Sequence, residues 1–148
     1  MKEMVSLRRN DSAEWTDKWI HFYQNHKNAY NNSGLEGLRQ RLHDGERIPR
    51  VTGENEYYEV VKDGEVIGEL QIIVVDSTKE LELGILDEFS NHGYGTKAIQ
   101  YYLQYFLDSN IEARLEVDNP LRNCIMKMLN RIGFTQKKFF PLIYTYEK

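Results

Sequence analysis

Along the first third of the chain, apolar residues recur at two spacings, which predict one strand followed by two helices. Residues 4–9 alternate in the manner of a short strand. Asp11 and Glu14 have the separation of a capping box, which predicts that a helix begins there. Ser33 and Glu36 repeat that separation before a second helix. The apolar face of the first helix would carry Trp15, Trp19, Phe22 and Tyr23, and that of the second Leu35, Leu38 and Leu42.

The middle of the chain has the two-residue period of strands. Residues 57–75 are rich in β-branched and aromatic types, and the Asp63-Gly64 pair predicts that they form a hairpin. A further strand is predicted at residues 81–86, where aliphatic residues alternate with carboxylates. One face of this strand is therefore apolar and the other acidic. The aliphatic residues are Leu81, Leu83 and Ile85, and the carboxylates are Glu80 and Glu82.

In the last third of the chain, two further helices alternate with strands. Residues 90–95, Ser-Asn-His-Gly-Tyr-Gly, precede the first helix, and residues 111–117 form a strand. Asn119 predicts the start of the second helix and Gly133 its end, after which the tail divides into two strands. The predicted order is β-α-α-β-β-β-α-β-α-β-β, which is typical of an α+β domain with helices between strands.

Composition and charge narrow the class of protein. The 148 residues are 41% apolar and 28% charged, as in an ordinary globular protein, and predict a single domain over residues 1–148. The net charge of −4 argues against nucleic acid as a partner. The sequence has neither an apolar leader segment nor an apolar run long enough for a bilayer, which predicts a cytoplasmic protein with no membrane partner.

Few residues suggest thiol or metal chemistry. Cys124 is the only cysteine, which favours a reducing compartment, and its place beside Ile125 predicts a buried, inert side chain. His21, His26 and His43 have no metal-ligand spacing, so no metal is predicted.

The Gly93-Tyr94-Gly95 turn before a helix is typical of a phosphate site, because glycine allows close approach and helix N-termini attract anions. A nucleoside triphosphate loop requires a lysine before the hydroxyl residue, whereas Thr96 precedes Lys97 here. A dinucleotide fingerprint belongs in the first strand–helix unit, whereas this turn follows a hairpin. The third alternative is the pyrophosphate of an acyl-coenzyme A.

Two segments resemble motifs of the GNAT superfamily of N-acetyltransferases. The family's pyrophosphate motif is Q/R-x-x-G-x-G/A between a central strand and a long helix, and residues 90–95 are similar to it. Residues 123–134, which end in Gly133-Phe134, resemble the end of the family's next helix. The resemblance implies a mixed, mostly antiparallel twisted sheet flanked by helices. It also implies transfer of an acetyl group from acetyl-CoA to a primary amine of a small molecule or peptide, by a monomer or homodimer.

The resemblance also implies which residues contact the coenzyme. Backbone groups of Leu83, Ile85 and Leu86 would lie beside the thioester and pantetheine, where a bulge separates two strands in the family. Asn123 would contact the pantetheine. The pyrophosphate would be held by the backbone of Asn91, His92, Gly93, Tyr94, Gly95 and Thr96.

Transfer to an amine requires a proton acceptor, donors for the carbonyl oxygen and a stabilised thiolate. Glu82, on the acidic face of its strand, and Glu116, on the adjacent strand, are the candidate bases. Tyr144 on the last strand is the candidate proton donor, because the family's usual tyrosine is replaced by Leu129. Ser90 likewise replaces the motif's first Gln or Arg. These two differences support a rival hypothesis, in which the chain binds the coenzyme as a sensing or interaction module without catalysing transfer.

Overall fold

The computed structural model describes residues 4–27, 29, 34–139 and 141–148. The predicted order of elements is confirmed, and so is the α+β fold class. The strands are β1 (Val5–Arg9), β2 (Glu56–Lys62), β3 (Glu65–Val75), β4 (Thr78–Ile85), β5 (Ile111–Leu115), β6 (Thr135–Phe139) and β7 (Leu142–Tyr146). The helices are α1 (Asp17–Asn25), α2 (Leu35–His43), α3 (Tyr94–Tyr105) and α4 (Arg122–Ile132). Among the described residues, no helix is long and apolar enough to cross a membrane.

The strands form one sheet of seven in the order β1-β2-β3-β4-β5-β7-β6. Neighbours are antiparallel except β4 and β5, which are parallel. The register between these two strands contains one pair, Glu80 with Glu112, whereas β3 and β4 are paired from Gly68 with Ile85 to Val75 with Thr78. The two halves of the sheet therefore separate beyond that single pair.

Helices α1 and α3 lie on opposite faces of β4. A Cβ atom at Gly84 would lie 3.2 Å from Phe22 Cε2 of α1, whereas a Cβ atom at Gly95 of α3 would lie 3.0 Å from Leu83 Cδ2. Because successive strand residues point to opposite faces, Glu82 shares the α1 face with Gly84. The larger core cluster packs on the α3 face, and a smaller one lies under α1 and α2.

The predicted capping box at Asp11 and Glu14 is wrong, because both carboxylates have other partners. Glu14 pairs with Arg47 at 2.9 Å and Asp11 accepts a hydrogen bond from Arg9 at 2.9 Å. Helix α1 begins later, after Thr16, whose hydroxyl accepts from the Trp19 N–H at 3.4 Å. The predicted cap Ser33 lies outside the described residues.

Two predictions about α4 are also corrected. Asn119 does not cap the helix directly, since α4 begins at Arg122, but the Asn119 side chain accepts a hydrogen bond from the Leu121 N–H at 2.8 Å. Cys124 is exposed rather than buried. Leu129 is the buried residue of this helix, so the core takes up a narrower face of α4 than the apolar pattern predicted.

Candidate active site

A cleft of about 870 Å³ lies between β4 and β5, where the sheet separates. Helix α4 forms its apolar side through Ile125, Met128 and Leu129. Four of the six charged residues around the cleft are acidic, which makes its polar side suitable for a cationic ligand. These six are Lys27, Glu80, Glu82, Arg114, Glu116 and Asp118.

The free backbone edge of β4 faces this cleft. The Leu86 N–H donates to Ile67 O at 2.9 Å, so residue 86 bonds toward β3. Hydrogen-bonded and non-hydrogen-bonded pairs alternate along an antiparallel ladder, so the N–H and C=O groups of Leu83 and Ile85 point the other way, toward β5. Of the three residues predicted to border the thioester, Leu83 lines the cleft and offers it free backbone groups. The backbone groups of Ile85 point to the same side of β4, whereas the Leu86 N–H is already bonded.

The predicted bulge is not found in β4, whose pairing with β3 is regular. The register of β2 with β3 shifts instead between Val60 and Val61, which leaves Ile67 as an extra residue of β3. The adjacent Gly68 accommodates the resulting close approach, because a Cβ atom there would lie 2.4 Å from Gly84 O. A bulge does accompany the separation of β4 from β5, but it lies in the neighbouring strand β3 rather than in β4 as predicted.

The predicted phosphate turn leads directly into α3. Asn91 and Gly93 have left-handed backbone conformations, with φ of 62° and 80°, and the helix begins at Tyr94 with no side-chain cap. Its first helical hydrogen bond runs from Lys97 N to Gly93 O at 3.2 Å. The N–H groups of Gly95 and Thr96 therefore lie in the first turn, where a helix has no acceptor of its own, and such groups bind anions.

Gly95 also brings this helix end close to the cleft. Its missing side chain allows α3 to pack against Leu83 of β4, since a Cβ atom would come within 3.0 Å of that side chain. His92 is exposed, so its side chain is not held in the turn by burial. The helix N-terminus and the free edge of β4 are consequently neighbours.

The two candidate bases have different surroundings. Glu82 is reached by solvent through the cleft, and it has no hydrogen bond or ion pair with any residue that the structure describes. The protein around its carboxyl group raises the pKa of Glu82, with a further contribution from the negative charges of Glu80 and Glu69. Glu116 is exposed and pairs with Arg114 at 3.3 Å. Glu82 is therefore the better placed proton acceptor.

A buried polar network lies on the same face of the sheet, in the row next to Glu82. Glu69 is 1% exposed and accepts hydrogen bonds from Arg50 Nη1 at 2.8 Å, Tyr57 Oη at 2.6 Å and Tyr23 Oη at 2.5 Å. Arg50 Nη2 also donates to Glu69, and the Arg50 guanidinium lies 3.8 Å from the Trp15 ring centre. Burial and the Glu69 charge raise the pKa of Tyr57, which therefore remains a neutral donor.

The sequence interpretation missed this network. A glutamate inside the long apolar run of β3 was its only local signal, and its partners are remote in sequence. Glu69 lies 46 residues from Tyr23 and 19 from Arg50.

Three other predicted residues lie away from the polar side of the cleft. Tyr144 is 1% exposed within the larger core cluster and does not line the cleft. Asn123 is exposed in the first turn of α4 and is not among the lining residues. Leu129 does line the cleft, so the position of the family's tyrosine presents an aliphatic side chain there.

The end of α1 is tied to both sides of the cleft. His26 Nε2 lies 2.6 Å from Asp87 Oδ1, in the 3-10 turn (Asp87–Phe89) before the phosphate turn. Asn119, which is 9% exposed, donates to Ala29 O at 3.0 Å from the connection between β5 and α4. These contacts connect the end of α1 and the residues after it to the turn that follows β4 and to the connection between β5 and α4.

The sequence profile of the acetyltransferase (GNAT) family matches residues 9–134. The chain therefore belongs to the GNAT family of acetyltransferases, and the predicted family and enzyme class are confirmed. No curated protein matches the sequence.

Several solved acetyltransferase structures have a similar fold. The N-acetyltransferase PseH of Campylobacter jejuni, in complex with acetyl coenzyme A, is 15% identical with a TM-score of 0.59 over 98% of this chain and 99% of that one. The aminoglycoside acetyltransferase AAC(6')-Ib, in complex with coenzyme A and kanamycin, is 14% identical with a TM-score of 0.62 over 98% and 95%. RimL, a ribosomal L7/L12 α-N-protein acetyltransferase in complex with coenzyme A, is 12% identical with a TM-score of 0.59 over 96% and 94%. The coenzymes in these structures agree with the prediction of acetyl-CoA as the co-substrate.

Proposed function

We propose that this protein transfers the acetyl group of acetyl-CoA directly to a primary amine, with Glu82 as the proton acceptor. The observation that carries the proposal is the free edge of β4. The backbone groups of Leu83 and Ile85 point away from β3. On one face of β4 they are next to the uncapped N-terminus of α3, and on the other face they are next to Glu82, whose pKa is raised.

The coenzyme would occupy the cleft as an additional strand. Its pyrophosphate would accept hydrogen bonds from the N–H groups of the turn, of which Gly95 and Thr96 belong to the first turn of α3. Its pantetheine amides would pair with the free edge of β4, as one strand pairs with another. The apolar side chains of α4 would cover the opposite side of the arm. Asn123 and Tyr144 have no role in this arrangement.

The chemistry follows from these positions. The acceptor nitrogen attacks the thioester carbon as a neutral amine, and Glu82 takes its proton directly or through one water molecule. The Ile85 N–H is the donor placed to stabilise the carbonyl oxygen as it gains negative charge. The bond from carbon to sulfur then breaks, the acetyl group stays on the nitrogen, and the coenzyme leaves as a thiolate that water protonates. No covalent enzyme intermediate forms.

Leu129 supports a second candidate function, because it leaves no hydroxyl at the position of the family's usual proton donor. In that case the protein would bind acetyl-CoA without transferring its acetyl group. Glu82 favours the enzyme instead, because a carboxyl whose pKa is raised by its surroundings suits a general base.

The test is thermal unfolding with acetyl-CoA, ATP or NAD, followed by an assay of thiol release with a panel of amines. A ligand at about 100 times its Kd adds about 2.7 kcal/mol of stability, which raises the midpoint by several degrees. We expect a shift with acetyl-CoA alone and amine-dependent release of coenzyme A. A shift without any release would identify the non-catalytic binder, and a shift with ATP or NAD alone would refute the proposal.

A further inference from the structure

Gln71 lies beside Glu82 on the polar side of the sheet and has no part in the proposed mechanism. In the antiparallel register of β3 with β4, Gln71 is the direct partner of Glu82, and on its other side it is the partner of Tyr57 in β2. Side chains directly opposite each other in such a ladder have Cβ atoms about 5 Å apart. The Gln71 amide is therefore a neighbour of the proposed base.

The buried network fixes the direction of this amide. Gln71 Nε2 donates to Glu69 Oε2 at 3.2 Å, and this is its only hydrogen bond to a described residue. Glu69 already receives bonds from Arg50, Tyr57 and Tyr23, so it is held as a carboxylate, which only accepts hydrogen bonds. A reversed amide would place two acceptor oxygens against each other. The nitrogen must therefore face Glu69, and the oxygen is the free end.

The result is a pair of acceptors without a donor. The Gln71 amide oxygen and the Glu82 carboxylate belong to directly paired positions on one face of the sheet, and no described residue donates a hydrogen bond to either of them. Glu80, which lines the same cleft two residues along β4, adds negative charge. An ammonium group, with several N–H donors and a positive charge, is the chemical complement of such a site.

We infer that Gln71 is a specificity-determining residue of the acceptor site, where its amide oxygen and the Glu82 carboxylate together bind the ammonium group of a primary-amine substrate. The inference rests on the proposed function, because it assigns the acceptor to this side of the cleft. It selects amines that offer at least two N–H donors. A quaternary ammonium of the same charge lacks these donors and binds more weakly.

The test measures binding of n-butylammonium, by NMR titration, to protein saturated with coenzyme A. The matched ligand is n-butyltrimethylammonium, which keeps the chain and the charge but has no N–H donor. The variants are Gln71→Leu and, as a control, Gln104→Leu, which alters an exposed glutamine of α3. A hydrogen bond to a charged group contributes on the order of 1.5–3 kcal/mol, so we expect Gln71→Leu to weaken n-butylammonium binding about tenfold or more.

In contrast, Gln104→Leu should change the Kd of n-butylammonium less than twofold, and n-butyltrimethylammonium should bind the unaltered protein at least five times more weakly. Equal binding of the two ligands, no saturable binding, or an unchanged Kd in Gln71→Leu would overturn the inference. If that variant does not fold, the inference is tested instead on the unaltered protein, by the NMR signal of the Gln71 side-chain NH₂ group. This signal must shift when n-butylammonium is added, and an unchanged signal would overturn the inference. Failure of the proposed function appears separately, as failure of coenzyme A to bind.

Discussion

At the scale of single residues, Glu82 combines its proposed chemical role with a cost in stability. The protein around its carboxyl group and the neighbouring carboxylates raise the pKa of Glu82 above the ordinary 4.5, so ionisation of this group is less favourable in the folded protein than in the unfolded chain. Protonated Glu82 therefore favours the folded state. This contribution to stability is complete below the pKa of Glu82 in the unfolded chain, and it is lost as pH rises through the higher pKa of Glu82 in the folded protein. Under the proposed mechanism, the base is thus a group whose ionised form the fold disfavours.

We predict that Glu82→Gln slows acetyl transfer at least tenfold, because general bases contribute on the order of 10²-fold or more. The turnover of the unaltered protein should rise with pH through an inflection above 4.5, which the variant lacks. The variant should also melt at a higher temperature at pH 8, with the difference shrinking at low pH. Steady-state kinetics and melting curves at several pH values measure these effects.

The matched control is Glu116→Gln, because Glu116 is the other candidate base and is exposed in an ion pair. We expect it to slow transfer less than tenfold. A larger loss in Glu116→Gln than in Glu82→Gln would transfer the role of base to Glu116.

At the scale of elements, the ends of strands and helices could be predicted where the residues of the turn itself determine its backbone conformation. The Asp63-Gly64 hairpin and the end of α4 at Gly133 both have the positive φ that their sequences predicted. The capping box failed because Glu14 bonds to Arg47, which is 33 residues away. Sequence spacing carries no information about such remote partners, so the start of α1 was misplaced.

Glycine positions provide a test at this scale. We predict that Gly68→Ala destabilises the protein by about 1–3 kcal/mol, because its Cβ atom would lie 2.4 Å from Gly84 O, a backbone atom that cannot move aside. Gly37→Ala in α2, where nothing lies within 4 Å, should stabilise by about 0.5–1 kcal/mol. Urea unfolding measures both. A neutral Gly68→Ala would show that β3 and β4 approach less closely at this point.

At the scale of the whole molecule, the order of elements could be predicted because hydrophobic periodicity records each strand and helix. The separation of β4 from its neighbour followed from the family resemblance, and the phosphate turn at Gly95 followed from the glycine pattern itself. The network around Glu69 could not be predicted, since it assembles side chains from β2, β3, α1 and the segment before β2. This buried network is therefore a property of the folded chain.

Hydrogen exchange tests the proposed position of the coenzyme in the sheet. We predict that acetyl-CoA slows amide exchange at Leu83 and Ile85, whose N–H groups point away from β3 toward the β5 side of the strand. Leu86 is an internal control, because its N–H already bonds to Ile67 O. Strand β1, at the far edge of the sheet, is a second control. Equal protection at all these positions would indicate general stabilisation rather than strand-like pairing.

The apolar side of α4 has a consequence for the protein inside a cell. Ile125 and Met128 face the cleft, and Leu121 beside them is 46% exposed. Without a bound coenzyme, the protein therefore exposes an apolar surface to solvent. Under the proposed assignment, a metabolite covers that surface. Molecules that lack it would be the ones that proteases and chaperones capture first. The amount of this protein that survives in starved cells would then follow the supply of activated acetate, even with synthesis unchanged.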